Sequence, residues 1–414
     1  MEPHNRPELN ADFLTDDLWG TVFNEPLPGQ QRNQGTTENE WDSIDGGLHE
    51  SSNASFSTSP STQSGPITLP IHPNGGSLSK PVFRHDGLLV VGTEASGSFN
   101  DNHRLFLTNF RSNGFDSVFL PLTHAVRDIL WIQPNTIAIA IAKDLQVMSV
   151  GQTIADCQLH APLTMIHSDI IRELAVSPLD PRHILSGGFD ETVCMTDLEA
   201  LDVLLKFDAR DVVSSLRWLP DHGILCILLC HFGNVVETQN HISWTTDGGN
   251  FSIADIRVKS ASGQLSVDCS SLFRFDVTGG LFSHEYTSSC NHVALAYENG
   301  YIAFLDTRML STRSPCYMMC SSPLRTIGEI RKSLCGDYVL FGIGGFAVAD
   351  LGHITNPATH FNIDFNTIPM ETRKTSGDFA ADNVNLLAVS DSVGLVSVYD
   401  MQHLRRTDQS TFTL

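Results

Sequence analysis

Few side chains in this sequence stand at the spacings that covalent chemistry requires. Nine cysteines run from Cys157 to Cys335, and the closest pairs, Cys226/Cys230 and Cys316/Cys320, are C-x3-C without a histidine pair at zinc-finger distance. They read as reduced, partly buried thiols. The run "GIGGF" at residues 342–346 has the glycines of a phosphate cradle, but no helix pattern follows it, so it reads as a hairpin turn. Asp-flanked histidines such as His85 and His222 read as loop residues rather than bases. No Walker loop, G-x-S-x-G elbow, H-E-x-x-H or G-x-G-x-x-G occurs. The expectation is a non-enzyme with no catalytic residues, cofactor or metal.

Recognition chemistry is better represented. Two of the five tryptophans, Trp19 and Trp41, fall in "TDDLWGTV" and "ENEWDSI", where acids precede Trp and an aliphatic residue, Val22 or Ile44, stands three positions later. An exposed indole is costly unless a pocket receives it, on a partner or on the chain's own folded part. Leu14, Leu18 and Val22 would share one face of a partner-binding helix, weakened by Gly20. Two apolar runs end in Asp-x-Arg, at Asp255/Arg257 and Asp306/Arg308. Such a pair is a contact for a partner or a strand-end salt bridge.

The chain that must position these residues has 414 of them, 41% apolar and 17% charged, with 47 acids against 25 bases and a formal net charge of −22. That sign opposes nucleic acid and anionic membrane. No apolar run reaches the length of a membrane span and the start has no leader pattern, so a cytoplasmic or nuclear location is expected. Residues 1–80 are rich in Asn, Ser, Thr, Gly, Pro and Gln and carry a net −8. They read as a disordered acidic arm, because such a composition buries too little apolar surface to offset ordering entropy.

From about Val82 the texture changes to apolar or alternating runs of strand length, punctuated by Gly, Asp, Asn and Pro. One string recurs. "GGFDETVCMTD" closes at Asp197, and related strings close at Asp255, Asp306, Asp350 and Asp400, spaced 58, 51, 44 and 50 residues apart. "AKDLQVMSV" and "DNHRLFLTNF" occupy the same slot upstream, making seven units. Each closing strand follows another across a turn bearing Asp, Asn or Gly, and a third strand lies further back, as in "DILWIQP" and "IIRELAVSP". Gly187, Gly188 and Asp190 are read as hairpin-turn residues. Units of this length with three or four antiparallel strands predict an all-β, seven-bladed β-propeller over 81–408, with 409–414 as a tail or closing strand. Either "PITLPIHP" before the first unit or "QSTFTL" at the end would close the ring.

At this point the chain resembles the WD-repeat β-propeller family over roughly 82–408. That family locks a blade with a loop His, a strand Ser or Thr, a turn Asp and a strand Trp. Here His167, Ser186 and Asp190 match, and Thr196 stands where the Trp would. The other units are more degenerate, with Ala254, Leu305, Ala349 and Tyr399 before the closing aspartate. "RHDGLLVVGTEASG", then "AVRDILWI" and "HSDIIRELAV", is similar to the opening blades of methylosome WD-repeat subunits, propeller partners of symmetric arginine methyltransferases. Trp41/Ile44, and less closely Trp19/Val22, resemble the motif that docks on ubiquitin-like autophagy modifiers by strand addition. The Asp-x-Arg pairs resemble the contact by which WD-repeat receptors join cullin-RING ligases, without its Trp. These resemblances imply a non-catalytic scaffold or adaptor whose partners are proteins, with an arginine methyltransferase, a ubiquitin-like modifier or a ligase adaptor as the alternatives.

Overall fold

Short β-branched and aromatic runs separated by turn residues leave little choice but antiparallel pairing. A computed structural model of the chain describes residues 66–72, 76–84, 87–94, 103–111, 114–151, 156–163, 166–219, 240–258, 263–270, 278–287, 292–307, 310, 317–333, 336–350, 363, 365–380 and 383–406. Strand β1 (Ile67–Pro70) comes first. It is followed by a four-stranded sheet of β2 (Val82–Phe83), β3 (Leu88–Gly92), β4 (Arg104–Arg111) and β5 (Gly114–Pro121). The next sheet takes β6 (Val126–Gln133), β7 (Thr136–Ile141), β8 (Asp144–Ser149) and β9 (Gln158–Leu159). Then come β10 (Ile171–Val176), β11 (His183–Gly188), β12 (Thr192–Asp197) and β13 (Asp202–Asp208). A further sheet holds β14 (Val213–Trp218), β15 (His241–Thr246), β16 (Asn250–Asp255) and β17 (Gln264–Asp268). Another holds β18 (Leu281–Tyr286), β19 (His292–Tyr297), β20 (Tyr301–Asp306) and β21 (Tyr317–Ser321).

The remaining strands are β22 (Thr326–Lys332), β23 (Asp337–Asp350), β24 (Phe365–Ala380), β25 (Asn383–Asp391) and β26 (Leu395–Asp400), hydrogen bonded in the order β1, β26, β25, β24, β23, β22. Two of them change role along their length. In β23, Val339 and Phe341 share a core cluster with Phe346 and Val348, whereas Tyr338 and Leu340 share the other with Ala347 and Ala349. The parity of the faces inverts across Gly344 and Gly345, both at positive φ, so the chain reverses there. The "GIGGF" run is thus a turn between two pairing segments. In β24, residues 365–369 pair with β23 and residues 375–380 with β25, so one strand serves two sheets. The chain is all-β, built from successive four-stranded antiparallel sheets compatible with a propeller. Helix α1 (Met401–Arg406) ends the described chain, with Met401 and Leu404 buried against Val339, Phe341 and Tyr399.

Two sequence expectations change. β1 pairs with β26, Ile67 opposite Val398 and Pro70 opposite Leu395, so the N-terminal candidate closes the array. The folded part therefore begins at least ten residues before the boundary drawn at 80; composition hid it because β1 is short and flanked by Ser, Gly and Pro. Gly187 and Gly188 lie in β11 rather than in the turn. A Cβ on Gly188 would stand 2.0 Å from the Ile170 carbonyl oxygen, so close backbone approach requires that glycine. The positive φ of this turn falls on Glu191 instead. Residues 1–65, and with them most of the expected arm, lie outside the described residues, as do 407–414.

Packing runs between sheets. Among the described residues, clusters of mainly Leu, Ile, Val, Phe and Ala fill the spaces between neighbouring sheets, as when Val126, Ile129 and Ile137 of one sheet meet Val90 and Leu105 of the one before. The first strands are neighbours in the order β2, β6, β10, β14, β18, β22, β24, and β24 lies beside β2 again.

Candidate functional site

The first strands share a local irregularity that places polar groups where they meet. The ladder to the second strand slips by one residue between Val126 and Asp128, Ile171 and Glu173, Val213 and Ser215, Leu281 and Ser283, and Ile327 and Glu329. Each is a bulge that re-aims the side chain following it. Asp128 accepts from the Leu174 amide at 2.8 Å, Glu173 from Leu216 at 3.0 Å, Ser215 from His284 at 3.4 Å and Ser283 from Ile330 at 3.2 Å. One sheet's side chain thus satisfies the backbone of the next, four times in succession.

Charges gather around these acceptors. Lys80 Nζ lies 2.6 Å from Asp128, both nearly fully buried. Arg217 Nη1 donates to Glu173 at 2.6 Å, its Nε to Glu285 at 3.1 Å and its Nη2 to the Ile330 carbonyl at 3.2 Å. Arg331 reaches Glu173 at 3.2 Å and also pairs with Glu329, whose other oxygen accepts from Ser376 at 3.0 Å. Residues from β10, β14, β18, β22 and β24 are joined in one network. Burial pushes the Glu173 carboxyl up, and Arg217 and Arg331 more than reverse this, holding it down at about 2. Burial raises Asp128, with Lys80 and Arg331 pulling the other way. His284, adjoining the network, is held well below the ordinary histidine range by burial and then by Arg217. It stays neutral, with Nε2 2.9 Å from Ser243 Oγ.

The sequence-derived residues of one sheet come together. His167 Nε2 lies 2.8 Å from Ser186 Oγ and its Nδ1 2.9 Å from Asp190 Oδ1, while the second Asp190 oxygen accepts from the Ser168 amide at 3.1 Å. The geometry is that of a serine nucleophile, an imidazole base and an orienting carboxylate. Ser186 is 0% exposed and His167 3%, so no carbonyl carbon can reach the hydroxyl. The three side chains tie the loop before β10 to β11 and to the turn after it. Thr196 does not complete the set: its buried hydroxyl has no partner among the described residues. Thr192 takes the fourth place, donating to Asp190 at 2.8 Å.

Asp255 and Arg257 form a two-point ion pair at 2.9 and 2.7 Å at the end of β16, with the Arg257 side chain 48% exposed. Asp306 is buried at 4%, and Arg308 lies outside the described residues. Both aspartates stand opposite a histidine that starts the preceding strand, His241 and His292, as Asp197 stands opposite His183. This repeated His/Asp pair is readable in "HILSGG", "HISWTT" and "HVALAYE" but was not part of the repeat alignment. Trp19, Val22, Trp41 and Ile44 lie outside the described residues. Sequence reasoning also missed the charge network, although "RDIL", "RELA", "SSLR" and "GEIR" carry its signal: an acid or serine placed before an apolar residue of a first strand. No protein-family model matches the chain, and no curated protein matches it.

Proposed function

We propose that this chain is a seven-bladed WD-repeat propeller that works as a non-catalytic scaffold, holding other proteins on its surfaces. The observation that carries the reading is the cyclic neighbour order of the first strands together with the pairing of β1 onto β26. Among the described residues, five four-stranded sheets and one six-stranded sheet whose strands β23 and β24 change partner along their length are compatible with seven blades, which supports the seven sequence units. Such a closed body resists deformation and offers two ends and a rim as separate binding surfaces. Ser186, His167 and Asp190 support the non-catalytic side, since their bonding capacity goes into holding one blade together.

The resemblance of the opening units to methylosome subunits makes an arginine methyltransferase the first partner to test. A chain of net charge −22 also suits arginine-rich substrates by long-range steering. The test is affinity purification with mass spectrometry on the full chain and on the full chain carrying Trp19→Ala and Trp41→Ala. A stoichiometric enzyme retained by both supports a scaffold whose propeller is the interface. A partner lost with the two tryptophans supports the alternative, an adaptor for a ubiquitin-like modifier. The exposed Asp255/Arg257 pair keeps a ligase-adaptor contact testable by Arg257→Ala in the same format. Recovery of no stoichiometric partner by the unaltered chain would overturn the scaffold reading.

A further inference from the structure

The two sheets that meet at the point of closure leave large apolar side chains uncovered on facing walls. Ile67 stands opposite Val398 and Leu69 opposite Val396, so all four occupy one face. That face packs on Phe83, Leu89, Val91 and Phe106 of the first sheet. Phe119 lies directly opposite Phe106 in the ladder, with ring centroids 6.4 Å apart, and so faces the same way. Ile67 is 55% exposed and Phe119 49%, above a buried floor of Leu69 and Phe106.

Arg104, two residues before Phe106 and on the same face, lays its guanidinium 4.4 Å from the Phe119 ring centroid. Lys80, Arg172, Arg182, Arg217, Arg257, Arg331, Arg373 and Lys374 each have a carboxylate partner. Arg104 has none among the described residues; Lys143, Lys206, Arg210, Arg325 and Lys332 share that, but of these six Arg104 is the one stacked on the exposed Phe119 ring. In a chain with 47 acids, an arginine spent on an aromatic ring beside an apolar mouth is a free cation in a partly dehydrated place.

We infer that this wedge between β1 and β5 receives an acidic, apolar peptide segment, with an aliphatic or aromatic side chain between Ile67 and Phe119 and an Asp or Glu carboxylate on Arg104. The inference rests on the scaffold reading and gives it one partner chemistry. Charge selects the occupant: the chain's net charge of −22 attracts basic segments to many places, whereas an acidic one is rewarded only where a cation stands without a carboxylate partner. A guanidinium already stacked on Phe119 is pre-organised for a two-point contact with a carboxylate.

The test is fluorescence anisotropy on the full-length protein. One labelled peptide alternates Asp or Glu with Leu and Phe; its twin carries Lys in place of each acid. The acidic peptide is expected to bind and the basic twin not to be displaced by it. Arg104→Glu and Phe119→Ser should each weaken the acidic peptide at least tenfold with unchanged thermal melts. Val118→Ser, exposed on the opposite face of β5, should leave affinity unchanged. No binding by the unaltered protein, equal binding by Arg104→Glu, or an equal loss with Val118→Ser overturns the assignment. Sedimentation showing a dimer that Phe119→Ser dissolves would give the wedge to a second copy and likewise overturn it. The scaffold reading is judged apart from this, by whether the unaltered chain recovers a stoichiometric partner.

Discussion

Glu173 is where the cost of burying charge is most concentrated. It meets Arg217, Arg331 and the Leu216 amide while itself nearly inaccessible. Glu173→Ala leaves two guanidinium groups without their shared acceptor, and a loss of about 3–5 kcal/mol is expected in urea unfolding. A loss below about 1 kcal/mol would mean the network is solvated and nearly neutral for stability. The histidines give a second prediction at this scale. His167 and His284 are both held below the ordinary value, chiefly by burial, so the folded state binds fewer protons than the unfolded one. The stability this represents is complete above the unfolded value, about 6.5, and is lost as pH falls toward the folded values. Melting temperature should therefore fall between about pH 7.5 and pH 5.5, and His284→Gln should flatten that slope. An unchanged slope in the variant would remove His284 from the account. His167, Ser186 and Asp190 could be picked from the sequence because their types and order are distinctive. Thr192 in place of Thr196, and Glu173 at the junction of three strands, depend on which side chains face each other through space.

Strands and turns were legible because period-2 alternation and Gly, Asp and Asn punctuation are local properties. The bulges were not, since a slipped ladder shows only against a partner strand. Gly188 illustrates the difference. As a turn residue it would tolerate Asn or Asp, whereas as a point of backbone approach it tolerates no Cβ. Gly188→Ala should cost at least as much as an overpacked core position, about 1–3 kcal/mol or more. Lys143→Ala, in the corresponding turn of the preceding sheet, should change stability by less than about 0.5 kcal/mol. Equal effects in thermal melts would return Gly188 to the turn class. The division of β24 between two sheets is a further case: its 16 residues run as one strand, and the change of partner near Lys374 separates the two roles.

For the whole molecule the decisive element is β1. Removing residues 1–60 should leave the melting temperature unchanged. Removing 1–80 takes away the pairing with β26 and the burial of Leu69, Ile71 and Leu78, worth roughly 1.5–3 kcal/mol per side chain, and exposes a bare edge on β26. That shorter chain should melt lower and aggregate. Equal melting of the two truncations would mean that closure is dispensable. By itself the sequence determined what depends on neighbours along the chain: strand content, unit length, turn positions, the sign of the charge and the lock residues of its best-kept unit. The tertiary structure decided which terminus closes the array, which polar side chains share the axis of the first strands, and where Arg104 meets Phe119. These join residues up to hundreds of positions apart, and their energies depend on burial and distance, which local composition does not encode.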